Sequence, residues 1–315
     1  SVVALCSRDV GKASGRAEQF YPDALVFADH RELLALDSFQ VVDIATHPEG
    51  RAELIADSIA AGKHVLSQKP FALNLSVAEE LIAQADLAGV KLAINQNGRW
   101  APHLAAMREL IAGGVIGSVT EVDASVRWDH SWTVGTSFDQ TPFLVLFDFG
   151  VHWFDFISTV ILGRQVSGVS ASVSFTPQQR SPQPMKAEVL MTGPGISVRL
   201  AFDGDSANLQ RDVTVIKGEA GALVSEGVDL QSQELTVHAA GATAPVPLDG
   251  DWFTTGFEGA MCELLCAIQE GREPSHSASA NLRTLELAFA ACESANTGLQ
   301  VRPGSVRELP NPSCR

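Results

Sequence analysis

Short apolar runs separated by helix-length amphipathic stretches dominate the first hundred residues, and few folds accept that rhythm. The runs are VVALC (2–6), a brief one near 25–27, VVDIA (41–45), HVLS (64–67) and KLAIN (91–95). Runs so short and so apolar read as strands buried on both faces. Helical periodicity over 10–19, 30–36, 49–61 and 76–88 fills the gaps, with Gly62 and Gly89 where the last two helices should stop. Strand–helix alternation of this kind builds βαβ units and a doubly wound parallel sheet.

The rhythm changes after Asn97. A helix is expected over 100–113, an alternating strand over 118–128 and a helix over 146–162. Strands then follow one another at 166–175, 186–192, 196–203, 211–217 and 234–238, and helices near 252–270 and 279–297 close the pattern. This predicts an α/β chain in two parts. Residues 1–97 form a Rossmann-type dinucleotide-binding domain. Residues 98–315 form an α+β domain with a large, mostly antiparallel sheet, for substrate and self-association.

A doubly wound dinucleotide fold opens with a strand, a Gly-rich turn and a helix. No such opening is present; Gly11 and Gly15 sit inside a helical stretch. The layout therefore predicts that a strand–turn–helix unit of roughly 25–30 residues precedes Ser1. VVALC is then the second strand, and its end reads the adenosine ribose. The turn there is Ser7-Arg8-Asp9. An arginine accommodates the 2′-phosphate of NADP and an acid bonds the 2′-hydroxyl of NAD. Ser7 and Arg8 favour NADP, while Asp9 leaves NAD open.

The formal net charge of −15 argues against nucleic acid, and no basic run suggests an anionic membrane. No apolar stretch approaches the roughly 20 residues of a spanning helix. Five scattered cysteines do not make a disulfide framework. Cys262 and Cys266 read as buried small hydrophobes rather than metal ligands. A cytoplasmic location is expected, with a targeting segment ahead of Ser1 left open.

Ligands of open α/β sheets sit at the carboxyl ends of strands. Gln68-Lys69-Pro70 stands at such an end, as does Ala45-Thr46-His47-Pro48, which should touch a cofactor. Pro70 biases Lys69 towards an extended backbone. An ammonium there would stabilise negative charge on a reacting oxygen. His152 suits proton transfer near neutrality, and Asp148 lies four residues before it, on the same face of one helix. Asp155 is either a substrate ligand or structural. A metal held by Asp148, His152 and Asp155 lacks enough ligands, so no metal is expected. Arg99, Trp100, Trp128 within RWDHSW (127–132) and Trp252 are candidates for a substrate-binding face, although core packing explains tryptophans as readily.

Four segments resemble the Gfo/Idh/MocA oxidoreductases, the glucose–fructose oxidoreductase and inositol dehydrogenase family. They are VVDIATHPEGRAELIADSIAAGKHVLSQKPFAL (41–73), QNGRWAPHLAAMRELIAGGVIGSV (96–119), DFGVHWFD (148–155) and GREPSHSASANLRTLELAFAACESANTG (271–298). The resemblance implies a catalytic set of Lys69, Asp148 and His152, with Lys69 and Gln96 near the nicotinamide. Gln68 replaces the usual glutamate of the family motif, and Arg51 stands where many members carry a histidine. The implied activity is NAD(P)-dependent hydride transfer at a carbinol of a sugar, inositol or related polyol, by a homodimer or homotetramer. Two other readings share the fold: a retained cofactor in a lyase- or glycosidase-type cycle, and a non-catalytic sensor.

Overall fold

The computed structural model describes residues 1–161 and 163–312. The N-terminal elements are β1 (Ala4–Cys6), α1 (Val10–Phe20), β2 (Leu25–Phe27), α2 (His30–Leu34), β3 (Val41–Ile44), α3 (Arg51–Ala60), β4 (His64–Gln68), α4 (Leu75–Ala88) and β5 (Leu92–Asn95). All of their strand pairings are parallel, as the apolar runs predicted. They fall into two sheets, β1–β2 and β3–β4–β5, which no described strand joins. Caps set the helix limits. The Asp9 carboxylate accepts from Lys12 N–H at the start of α1, Asn74 accepts from Ser76 and Val77 at the start of α4, and Gly89 ends α4 in the left-handed region.

A 3₁₀ turn over residues 97–100 leads into α5 (Pro102–Ala112), with Pro102 at its first position, so the helix expected over 100–113 is present and starts two residues later. Then come β6 (Val119–Arg127), α6 (Val151–Val160), β7 (Gly168–Ser174), β8 (Lys186–Gly193), β9 (Ile196–Asp203), β10 (Arg211–Gly218), β11 (Gly221–Gly227), β12 (Gln233–Ala239), β13 (Ala242–Val246), α7 (Thr254–Glu270) and α8 (Ala278–Thr297). The eight strands form one sheet, ordered β13-β12-β11-β10-β6-β9-β8-β7. Every pairing in it is antiparallel except β6 with β9. Its residues alternate. Val189, Met191, Val198, Leu200 and Phe202 are buried, whereas Glu188, Ser197 and Arg199 face solvent. Ion pairs cross the open face, Arg199 with Asp123 at 2.8 Å and Lys217 with Glu121 at 2.8 Å.

The C-terminal helices return to the first part of the chain. α7 lays Leu264, with Met261 and Ile268, on Leu66 and Ala93 of the β3–β4–β5 sheet. α8 runs between β7, α6 and α4 with Leu285, Phe289 and Cys292 fully buried. Beyond it, Leu309 N–H donates to Leu73 C=O (2.9 Å) and Leu75 N–H to Arg307 C=O (2.8 Å), so the tail lies along the segment that follows Pro70. Among the cysteines, Cys292 is buried but Cys262 and Cys266 are exposed, contrary to the expectation from sequence, because their positions on α7 face away from the sheet. Cys314 lies outside the described residues.

Candidate active site

β4 ends at Gln68, and the Lys69–Pro70 bond just beyond it is cis. Lys69 Nζ donates to the Asp148 carbonyl at 2.9 Å and to its carboxylate at 3.0 Å. The pair is largely enclosed, with 17% and 10% of the two side chains exposed. A charge-assisted contact sheltered in this way is far less screened than a surface pair. Asp148 occupies a π-turn (residues 145–149), so the helix expected to run unbroken over 146–162 starts with a wide turn and becomes α6 only at Val151. Gly150 N–H reaches back to Val145 C=O at 2.8 Å, and the Asp148 carbonyl accepts from Lys69. Such bulges recur at functional sites.

His152 stands one turn beyond. Its ring meets Trp252 edge-on, with centroids 5.7 Å apart, and its Nδ1 is buried without a partner among the described residues. Gly98 makes this packing possible, since a Cβ there would lie 3.1 Å from the Trp252 ring and 3.5 Å from His152 Nδ1. Burial, reinforced by the nearby Lys69 ammonium, holds the His152 pKa well below that of an ordinary imidazole. The Asp148 carboxylate bonds to Lys69 rather than to His152, so it orients the amine and not the imidazole.

A second histidine lies close by. His130 stacks on Phe149 with centroids 3.9 Å apart and meets Trp128 edge-on at 4.9 Å. Burial lowers its pKa to about 4; Asp129 opposes the shift and Lys69 adds to it. The cluster continues outward to Trp132, 58% exposed, and Phe138. Ser137 Oγ lies 3.0 Å from His47 Nε2, so the segment 131–142 reaches over the loop that follows β3. A cleft of about 420 Å³ opens there, lined in part by His47, Pro48, Phe138, Asp148, Glu308 and Leu309. Phe138 and the tail residues escaped the sequence reading, and His130 and Phe149 lay within quoted segments without being singled out; only folding gathers them.

Other sequence candidates lie elsewhere. Arg99 and Asp155 are both buried and pair in a fork, Nε–Oδ2 and Nη2–Oδ1 each 2.7 Å, with Thr284 Oγ1 on the same carboxylate at 3.1 Å. Asp155 outweighs the effect of burial and keeps Arg99 more basic than usual. Trp100 packs edge-on to His276 at 4.9 Å, and Trp252 stacks on Trp153 at 5.8 Å, 2% exposed. These four side chains support the site from behind. Gln96 is buried at the end of β5 with neither polar atom of its amide partnered among the described residues, and Ala45, Thr46 and His47 are exposed at the end of β3. Ser7 and Arg8 lie past β1; Ser7 Oγ accepts from Asp9 N–H at 3.1 Å, and Arg8 is exposed.

A parallel sheet with chemistry at its strand ends, joined to a broad open-faced sheet, defines a class of dinucleotide-dependent enzymes. Residues 1–96 match the family model described as "Oxidoreductase family, NAD-binding Rossmann fold", and residues 104–224 match "GFO/IDH/MocA C-terminal domain". The chain belongs to this oxidoreductase family. It is 26% identical over 323 residues to a D-apiose dehydrogenase of Paraburkholderia graminis, covering 97% of this chain and 84% of that protein. It is 31% identical over 173 residues to the trans-1,2-dihydrobenzene-1,2-diol dehydrogenase of Mus musculus, covering 54% and 51% of the two chains. An oxidoreductase from Agrobacterium radiobacter in complex with NAD+, L-tartaric acid and magnesium shares the fold, with a TM-score of 0.82 at 22% identity over 97% of this chain and 92% of that one. So does an aldose–aldose oxidoreductase from Caulobacter crescentus, with a TM-score of 0.79 at 20% identity over 96% and 91%. Among the described residues no helix is long and apolar enough to cross a membrane.

Proposed function

We propose that this enzyme is an NAD(P)-dependent dehydrogenase acting on a carbinol of a sugar, polyol or related vicinal diol. The observation that carries the reading is the Lys69 amine, held 3.0 Å from the Asp148 carboxylate at a strand end beside an imidazole kept neutral. The unpartnered Gln96 amide and the exposed Ala45–His47 loop fit a nicotinamide dinucleotide. That group supplies the hydride acceptor, at C4 of its ring. Lys69 stabilises negative charge on the substrate oxygen. His152 takes the hydroxyl proton and returns it in the reverse direction. Asp148 orients the amine. Gln68, whose Oε1 accepts from Lys69 N–H at 3.2 Å, adds no charge, which leaves Asp148 as the carboxylate paired with the amine.

For the substrate face we favour Trp132, Phe138 and the Trp128–His130 pair over Arg99, Trp100, Asp155 and Trp252, whose polar or aromatic groups are committed to the interior. NADP is the preferred cofactor in this reading, because Asp9 is occupied as the cap of α1 while Arg8 stands exposed beside it. Residues 1–97 would bind the cofactor and 98–315 the substrate, with the open face of the large sheet forming a homodimer or homotetramer. Four unpaired cysteines among the described residues fit a reducing cytoplasm. The test is a fluorescence titration with NADPH and NADH, followed by a cofactor-coupled screen of D-apiose, myo-inositol and a trans-dihydrodiol. Binding of a nicotinamide cofactor with turnover of at least one compound is expected. No binding of either cofactor would sink the proposal.

A further inference from the structure

Arg51 is in an unusual place for a cation. It opens α3, whose N-cap is Gly50 with no side-chain cap, and a positive charge in a first helical turn opposes the helix dipole. It is also 2% exposed. Helix stability does not explain it. Its contacts do. Nε donates to Thr46 C=O at 3.1 Å and Nη1 to Gln68 C=O at 2.7 Å; Nη1 also bonds Pro70 C=O, and Nη2 bonds Thr46 C=O. Four of the five guanidinium N–H groups thus tie together three carbonyls from two loops, a reach that a lysine ammonium lacks. Two of those carbonyls flank Lys69. No other side chain makes a hydrogen bond to both sides of that residue among the described residues.

We infer that Arg51 is a positioning residue: it clamps the Gln68–Lys69–Pro70 turn to the Thr46 loop and so holds the Lys69 amine against Asp148. Burial lowers the Arg51 pKa to about 10, a shift that Asp148 and Glu49 oppose, so the guanidinium stays charged at neutral pH. The catalytic meaning of the clamp rests on the function proposed above; the clamp itself can be tested without a substrate.

The experiment is acetic anhydride labelling of the full chain, read lysine by lysine by mass spectrometry, for wild type, Arg51→Lys and Arg51→Gln. Lys63 is the control. It is buried in the same domain, with Nζ bonded to Leu36 C=O at 2.8 Å and Phe39 C=O at 3.0 Å. Freed from the clamp, Lys69 should label about fivefold faster or more in Arg51→Gln, and by less in Arg51→Lys, while Lys63 keeps its slow rate, the mark of a local opening. A wild-type rate at Lys69 in both variants overturns the inference. So does a parallel rise at Lys63 and Lys69 in both, which would make Arg51 merely structural. Lys69→Met in the cofactor-coupled screen separates the two ideas: undiminished turnover would remove the catalytic reading and leave the labelling result to stand or fall on its own.

Discussion

Lys69 and His152 answer to different experiments. Lys69→Met should lower kcat by about 10²–10⁴ while cofactor affinity changes little, because in the proposed mechanism the amine acts on the reacting oxygen. Steady-state kinetics with the first substrate found checks this, and near-normal kcat would refute it. His152 must be neutral to accept a proton, and its pKa is displaced downward. The competent form is lost only as pH falls through that lowered value. kcat/KM for oxidation should therefore show no acid limb near pH 6.5, the ordinary value for histidine; an inflection there would mean that His152 is more solvated than its burial implies. Arg99 and Asp155 make the opposite kind of pair. Asp155→Asn leaves a buried guanidinium short of its counter-charge and should cost about 3–5 kcal/mol, whereas Arg307→Ala, which breaks an exposed pair with Glu79, should cost far less. Chemical denaturation of both variants decides. Lys69 and His152 were legible because their surroundings carry a pattern. The Arg99–Asp155 pairing was not, since 56 residues separate the two side chains.

At the scale of elements, strands fixed by apolar alternation were readable and those fixed by their neighbours were not. β11 and β13 went unpredicted. β11 is bounded by Gly221 and Gly227, and β13 reads Ala-Thr-Ala-Pro-Val, an edge strand with Pro245 and little to bury. They form because β10 and β12 offer backbone groups that need partners. The π-turn at Asp148 was hidden too, as the helical signal of 146–162 says nothing about one extra residue in a turn. α7 meets the 97–100 turn at very close range: a Cβ on Gly259 would lie 2.3 Å from Trp100 Cγ. Gly259→Ala should therefore destabilise by roughly 1–3 kcal/mol through overpacking, despite better helix propensity. A thermal melt no lower than wild type would show that Trp100 yields freely.

For the whole molecule, buried histidines tie stability to pH. Burial lowers His103 to about 3, and His130 and His276 to about 4. Each is neutral when folded and takes up a proton when unfolded below about 6.5, so the unfolded chain binds more protons and stability falls as pH drops from about 6.5 towards 4. Asp212 works the other way. Burial pushes it up to about 7, so its contribution is lost as pH rises towards that value. Tm should fall as pH drops below about 6.5, and Asp212→Asn, which removes that opposing contribution, should steepen the fall; a Tm that holds steady down to pH 5 would contradict this. In the sequence alone, the parallel strands and most of the second sheet were written in local periodicity, whereas Lys69, Asp148 and His152 stood out only through the resemblance of their segments to the family. That Asp148 bonds the lysine, that Arg51 grips the turn, and that α7 and the tail return to the first sheet emerged only on folding. Except for Arg51, whose partners lie 5 to 19 positions away, those contacts join residues 79 or more positions apart, and such partners are selected by packing and by the cost of leaving buried polar groups unpaired.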